Sequence, residues 1–572
     1  MRIITLHSDS IDIEPKTKAI KDAEEFKKGK LHFEECLVVL TAVEKIDEND
    51  IEASAKKAVE EIRKVAKDVK TNKIVLYPYA HLSSDLSSPK AAQQALTLIE
   101  ELLKKEKFDV SHAPFGWYKA FTISVKGHPL AELSRSIYPG GKAPEVHMQA
   151  KAPEKEQDPK RLLREISNAH LDTSKLKEND HRILGQKLEL FSFNDMAPGM
   201  AFWHHNGLII YNELINYWRD EHAKRGYQEI STPQMLDKKL WIVSGHWDKY
   251  SENNFLTEYE GRPFLLKPMN CPGGMLVYKS RPRSYRELPL RMAEMGIVHR
   301  QERSGVLAGL FRVIRITQDD AHIYCTEEQL EKEILGVMDL IHTIYSKFGF
   351  EYHTELSTRP EKRIGSDETW DKAEKILEEV LKKSKVKYKL NPGDGAFYGP
   401  KIDFHIKDSQ GRSWQCGTIQ LDFSMPERFE LEYMDKDNKL KRPVMLHRTI
   451  YGALERFIGV LLEHTNGALP VWLSPIQARV LGFTDRNVKA AEKIHEQLKG
   501  AGVRVDLDIS SSTVNEKVRN AELMKIPYII VVGDKEEANN TIAVRSRGKK
   551  PMFGIKPEKF TEELVHEIKS RA

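Results

Sequence analysis

The sequence predicts a multidomain protein of α/β and α+β architecture, on three observations. Its 572 residues are too many for one hydrophobic core, so three or four domains are expected. From Met1 to about Pro139, and again from Ala468 to Ala572, short β-type runs alternate with helical ones, the pattern of compact α/β units. The longer stretch between them has Gly- and Pro-marked turns separating strand-like and helical segments.

In the first unit (1–139), Cys36–Leu40 and Ile74–Tyr77 read as strands and Ala53–Lys70 as a helix. Residues 140–179 are rich in Lys, Glu and Pro with few aromatics. They read as a linker, with a solvated helix near Pro159 to His170. In the largest unit (180–467), Leu208 to Arg225 has helical spacing and leads into the extended Tyr227–Ile230 and Pro233. Further helices are expected over Glu327–Lys347 and Glu368–Lys383. The last unit (468–572) reads β-α-β-α-β, with strands over Ala478–Phe483, Val503–Leu507 and Tyr528–Val532. Its helices are expected near Val488–Leu498 and Val514–Met524. There are no internal repeats or low-complexity tracts.

Hydrophobic residues at 40% and charged residues at 30% suit a globular protein with a polar surface. A net charge of +4 permits nucleic-acid binding without arguing for it, since local patches matter more than the sum. The cysteines Cys36, Cys271, Cys325 and Cys416 lie far apart with no CxxC pair, which disfavours a disulfide framework and fits a reducing setting. MRIITLHSDS has neither the basic start nor the apolar core of a signal peptide, and no run approaches transmembrane length. A cytoplasmic protein without membrane attachment is expected.

Two short segments carry chemistry. In His299-Arg300-Gln301-Glu302 an arginine fork could grip phosphate while a neighbouring carboxylate takes a base amino group or a metal. Alone, an Arg-x-Glu is most often a surface ion pair. Gly452-Ala453-Leu454-Glu455-Arg456-Phe457 opens an apolar helix and sets Arg456 where it could meet a nucleotide phosphate. With the helix before Pro233, these segments come in the order of the three motifs of class II aminoacyl-tRNA synthetases. FLLKPMNCPGG (264–274), TQDDAHIYC (317–325), LSTRPEKRIGSDETWDKAE (356–374), FYGPKIDF (397–404), WQCGTIQLDFSMPERF (414–429) and LHRTIYGALERF (446–457) resemble the threonyl-tRNA synthetases within that class. The likeness covers most of 180–572. It implies a class II antiparallel-sheet core flanked by helices.

That resemblance implies Zn2+, one per chain, held by Cys271, His322 and His447. One thiolate and two imidazoles suit zinc and leave a position open, although their spacing gives no support and each alone reads as a packed or surface residue. Threonine and valine are nearly isosteric, so an apolar pocket would separate them only about a hundredfold. A metal that takes the amino and hydroxyl groups together would do better. Asp320 would receive the substrate, with Gln318, Tyr398, Gln415 and Thr418 completing the threonine pocket. Serine lacks only a methyl, worth roughly 1–3 kcal/mol, so an editing activity is expected.

The resemblance also implies ATP with Mg2+. Arg300 would hold the α-phosphate, Arg456 the γ-phosphate, and Glu302 would lie near adenine, with Arg312, Gln420 and Lys401 as further contacts. His204 is a candidate proton acceptor in transfer to tRNA(Thr), although His205 is adjacent and either could be structural. Gly274 stands where many relatives carry histidine, and Ile314 and Ile316 vary a stretch that is often Arg and Phe.

YPYAHLSSDL (77–86) and APFGWYKAFTISVKGHPLAELSR (113–135) resemble the archaeal-type editing domain, with the fold of D-aminoacyl-tRNA deacylases. Its implied site holds His81, Tyr118, Lys119 and Glu132, with Trp117 and His128 nearby. Lysine and backbone amides would orient water and stabilise the oxyanion. The alternative is a tRNA-docking appendage with an ordinary surface lysine. Residues 468–572 resemble the mixed-sheet anticodon-binding domain, with Glu536 and Arg545 as base readers and Arg547, Lys549 and Lys550 available to phosphate.

The implied function is ligation of L-threonine to tRNA(Thr) through an adenylate by a homodimer whose interface includes the helix before Pro233. The alternatives are a catalytically idle paralogue that binds RNA, and a sister synthetase for proline or histidine. The intact zinc set and motif arginines weigh against both.

Overall fold

Which of the predicted runs become long elements is decided by two-residue periodicity. The structure, a computed structural model, describes residues 1–138, 163 and 176–572, apart from 21, 27–28, 84, 129, 250–253, 303 and 409–410. The chain divides into two compact units, Met1–Ala152 and Pro153–Ala572. The helix expected near Pro159–His170 falls, but for Leu163, outside the described residues.

The first unit opens on β1 (Arg2–Lys18), paired antiparallel to β2 (Leu31–Ala42). These are long strands, not the short runs expected. In β1 the polar stretch His7–Ser10 and the acidic residues around Ile11 and Ile13 break up the apolar residues and disguise the strand from a search for apolar runs. β3 (Lys73–Pro78) and β4 (Asp109–His112) extend the sheet in parallel from β2. β5 (Trp117–Val125) and β6 (Glu132–Ser136) pair antiparallel with β1. Helices α1 (Ile51–Asp68) and α2 (Pro89–Lys105) supply the core, capped by Asp50, which accepts from the Ala53 amide, and by Ser88, which accepts from Ala91. Ala55, Ala58, Val59, Ile62 and Val65 form the buried stripe of α1.

In the second unit, α3 (His205–Lys224) leads into the short strand β7 (Gln228–Glu229), and α4 (Cys271–Lys279) precedes β8 (Leu290–His299) and β9 (Arg315–Cys325). α5 (Leu330–Lys347), β10 (Tyr352–Ser357), α6 (Asp367–Ser384) and β11 (Tyr388–Asn391) follow. β12 (Lys401–Lys407), β13 (Ser413–Asp422), β14 (Val444–Thr449) and α7 (Leu454–Thr465) complete the core. The eight strands order β11-β10-β12-β13-β14-β9-β8-β7. The expected antiparallel pairing holds across the six inner strands, whereas each edge strand pairs in parallel. Helices α5, α6 and α7 cover one face with Leu340, Ile341, Leu377, Phe457 and Leu461, leaving the other face for polar work.

The last part is a mixed sheet, β16-β15-β17-β18-β19, made of β15 (Ala478–Gly482), β16 (Val505–Asp508), β17 (Tyr528–Val532), β18 (Ile542–Ser546) and β19 (Met552–Ile555). β15, β16 and β17 run parallel while β18 and β19 return antiparallel. Arg504 ties it to α3 through Glu213 (3.0 Å) and also donates to the carbonyls of Trp472 and Ser474.

A Cβ at Gly207, in the first turn of α3, would stand 1.9 Å from the Leu190 carbonyl oxygen. That oxygen also accepts from the His204 amide, so it cannot retreat without losing a bond. Gly207→Ala is expected to cost about 2–3 kcal/mol, read as a lowered urea midpoint. An unchanged midpoint would contradict this contact.

Candidate active site

The polar face of the large sheet gathers residues that lie more than a hundred positions apart. In the antiparallel register His322 on β9 stands opposite His447 on β14, and His447 stands opposite Gln420 on β13. Cys271 is the first residue of α4, and its thiol is buried. Ligand atoms of Cys271, His322 and His447 all lie within 4.8 Å of one another.

The donor set fits a zinc ion. His322 Nε2 is buried with no hydrogen-bond partner among the described residues, an arrangement that costs free energy unless something fills it. His447 Nε2 meets Asp422 Oδ2 at 2.8 Å, and Asp422 Oδ1 accepts from the Ser424 and Met425 amides. The ring is therefore oriented by a carboxylate that is itself fixed, as metal-binding imidazoles generally are. Burial pushes the Cys271 thiol well up and holds His322 well below the usual imidazole range. A cation would reverse the first effect and needs the neutral ring of the second. A Cβ at Gly274 would approach His322 Nδ1 to 3.3 Å, so glycine leaves this imidazole unhindered.

A second group, Asp180, His181 and Glu463, is equally close-set. It is an internal ion-pair cluster. His181 Nδ1 meets Glu463 at 2.8 Å, its Nε2 accepts from the Leu310 amide, and Arg412 pairs with Glu463.

Around the first group a cavity of about 170 Å³ is lined by Cys271, Arg300, Gln318, Asp320, Tyr398, Thr418, Gln420 and His447, with Met269, Arg448 and Thr449. Burial pushes the Asp320 carboxyl up to about 6. Arg300 Nε donates to the Pro268 carbonyl, which aims the fork. Gln415 and Lys401 are not among the cavity-lining residues but join Thr418 behind its wall: Gln415 Nε2, Thr418 Oγ1 and Lys401 Nζ all donate to the buried Asp403. Arg456 Nε and Nη1 donate to the carbonyls of Phe311 and Gln415, which fixes its direction. Glu302 and Arg312 pair with each other at 2.9 Å and do not line the cavity. His204 is the exposed cap of α3, 3.0 Å from Ser192 Oγ, and also lies outside the lining.

Three supporting groups escape a reading of the sequence. Asp403 is one. Asp319 is fully buried and accepts from the Ile450 and Gly452 amides, fixing the turn before α7; burial pushes its carboxyl up to about 7. Lys267 is buried against Glu294 (2.9 Å), and both bond Thr232. Only charged residues inside apolar strand patterns signal them, and a single sequence does not say which partners they meet.

In the first unit His81, Tyr118 and Lys119 line a cavity of about 610 Å³, with Tyr77, Tyr79, Trp117 and Phe121. Lys119 Nζ donates to the Pro114 and Trp117 carbonyls and sits 5.1 Å from the Tyr77 ring. Burial lowers its ammonium to about 8. Glu132 is not brought there: it lies on β6, opposite Leu6 of β1. His128 is paired with His7 instead. The resemblance grouped these residues with Lys119, whereas β6 pairs with the start of β1, away from the end of β5 that carries Lys119.

In the last part Arg545 pairs with Glu522 and lines a cavity of about 350 Å³ with Lys549. Glu536 bonds the Gly533 amide at the start of a helix and lies outside that lining. Arg547 lines the same cavity, held in place by donating to the Leu469 and Lys525 carbonyls.

Residues 1–137 match the family described as the archaea-specific editing domain of threonyl-tRNA synthetase, 255–465 the class II tRNA synthetase core domain (G, H, P, S and T), and 471–567 the anticodon binding domain. A solved structure described as the RNA binding domain of threonyl-tRNA synthetase from Cryptosporidium parvum is 42% identical, covering 68% of this chain and 98% of its own, with a TM-score of 0.66. This chain belongs to the threonyl-tRNA synthetase family. The threonine–tRNA ligase of Caldanaerobacter subterraneus is 54% identical over 396 residues, which are 69% of this chain and 62% of that protein. The chain thus matches under two thirds of such relatives' length. A structure described as putative threonyl-tRNA synthetase ThrRS-1 from Aeropyrum pernix is 28% identical over 68% of this chain and 96% of its own, with a TM-score of 0.61.

If Asp422 orients His447 for a metal, Asp422→Asn should weaken zinc binding by about 10–100-fold, measured by titration against a competing chelator. Unchanged affinity would remove Asp422 from that role.

Proposed function

We propose that this chain ligates L-threonine to tRNA(Thr) at the expense of ATP and hydrolyses mischarged seryl-tRNA(Thr) in its N-terminal unit. The observation that carries the reading is the convergence of Cys271, His322 and His447 beside Arg300 and Asp320 in one cavity. Cys271, His322 and His447 would hold Zn2+, which when bound offers an open position to the amino and hydroxyl groups of threonine together. Asp320 accepts from the same substrate groups, and Tyr398 and Thr418 close the pocket. Valine has no hydroxyl and would leave buried polar groups unmatched.

The threonine carboxylate is already an anion, so attack on the α-phosphate of ATP needs no general base. Arg300 neutralises the α-phosphate. Arg456, held on two carbonyls, presents its remaining N–H groups to the γ-phosphate, and Mg2+ accompanies the nucleotide. Glu302 and Arg312 exchange their mutual pair for the adenine side of the nucleotide, and Lys401 and Gln420 support the same pocket. The adenylate then passes threonine to the terminal ribose, with His204 as proton acceptor. Arg545 and Lys549 serve the anticodon, as does Glu536.

The units 1–139, 180–467 and 468–572, with the linker 140–179, serve editing, ligation and anticodon binding. The chain works as a cytoplasmic homodimer with the helix before Pro233 in its interface. No described helix is long and apolar enough to cross a membrane.

Threonine-dependent ATP–pyrophosphate exchange tests the reading. Arg300→Ala and Arg456→Ala should each lower it by about 100-fold or more. An absence of exchange, or exchange that answers to proline, overturns the reading. In editing, Lys119 is the cationic stabiliser of the oxyanion. Its charge is present below about 8 and is lost as pH rises. The ratio of wild-type to Lys119→Met hydrolysis rates on seryl-tRNA should therefore fall as pH rises through about 8. A ratio independent of pH removes the lysine from that role.

A further inference from the structure

Asp403 on β12 is almost wholly buried and no part of it reaches the cavity lining. Its two oxygens take four donors. Oδ1 accepts from Gln415 Nε2 (2.6 Å) and Thr418 Oγ1 (2.9 Å). Oδ2 accepts from Ser357 Oγ (2.9 Å) and Lys401 Nζ (2.6 Å). Gln415 Nε2 also donates to Thr418 Oγ1 at 3.2 Å.

A carboxylate can only accept, so it dictates the sense of each bond around it. Thr418 must spend its one hydrogen on Asp403. Gln415 must turn its NH2 inward, where both hydrogens are used, and its Oε1 faces away from Asp403. Lys401 Nζ pairs with Oδ2 of that carboxylate and braces it from the other side. The Gln415 backbone carbonyl meanwhile accepts from Arg456, which ties this wall to the phosphate-binding side.

We propose that Asp403 is a positioning residue that sets the hydrogen-bond polarity of the groups behind this wall, so that Gln415, next to the cavity-lining Thr418, reaches bound substrate with its amide oxygen as an acceptor to an O–H or N–H donor. The inference rests on the threonine-activating function proposed above and deepens it. The donor is either a ribose hydroxyl of ATP or the ammonium of threonine. An ammonium has no lone pair to accept from an amide N–H, and a ribose hydroxyl facing one could accept but would lose the bond that it donates.

Asp403→Asn keeps the shape and removes the compulsion. Its carboxamide oxygen is best placed against Lys401 and Ser357, which turns its NH2 toward Gln415 and drives the Gln415 amide to flip. Gln415→Glu in the natural background sets two carboxylates together, yet beside Asp403→Asn it restores an acceptor-only group that the new NH2 can hold. Three variants and the wild type are compared by pyrophosphate exchange, with KM for ATP and for threonine measured separately and folding checked by thermal unfolding. Asp403→Asn and Gln415→Glu should each lower kcat/KM about 10–100-fold. The double variant should recover at least about tenfold over either single change. A KM rise confined to ATP identifies the ribose as the donor, and one confined to threonine identifies the ammonium.

Losses that multiply in the double variant, or an undiminished Asp403→Asn, overturn the proposal while leaving the ligase reading intact. A wild type without exchange overturns both. Should Asp403→Asn fail to fold, Gln415→Glu must still be at least about tenfold worse than Gln415→Ala, and equal effects overturn the proposal.

Discussion

Strand register in the large sheet is the constraint on which the rest of the site depends. His322 and His447 meet because β9 and β14 pair with those residues opposite each other. Side chains alternate between faces, so a slip of one residue would send either imidazole into the helix-covered core and end the cluster. The apolar residues on the opposite face, including Ile323 and Leu446 in that core, make such a slip costly. The hydrophobic face thus specifies the polar one.

Buried charges do the finer positioning. Lys267 with Glu294, Asp319 with the turn amides, and Asp403 with its four donors each place a charge in a site closed to water. Such pairs add little net stability, because desolvation offsets much of the attraction. Their value is directional. Asp319 fixes the turn that introduces α7 and Arg456, and Asp403 fixes which edge of an amide faces outward.

Under the proposed function, the two cavities would divide one discrimination problem by physical means. Donors around a metal-binding cluster can tell a hydroxyl from a methyl, since a buried polar group left unmatched is expensive. They are poor at telling serine from threonine, which differ by one methyl. The N-terminal cavity has a different character: Tyr77, Tyr79, Trp117 and Phe121 line it around a single half-buried amine, Lys119. Under the same reading, aromatic walls of this kind would select by size.

Much of the secondary structure was legible in the sequence, because α6 and α7 carry strong helical periodicity, α6 has a Ser366 cap as well, and β17 is a continuous β-branched run. The long β1 was not, since polar residues break up its apolar ones. The residue types of the site were legible through long matching strings, and the structure brings Cys271, His322, His447, Arg300 and Asp320 together. Their neighbours were not. Glu132 and His128 sit close in sequence to Lys119 but apart from its cavity. Sequence by itself determined which groups have the right chemistry, because that belongs to each side chain. Only the tertiary structure decided which of them share a space, because register, burial and the pairing of charges are properties of distant segments packed together.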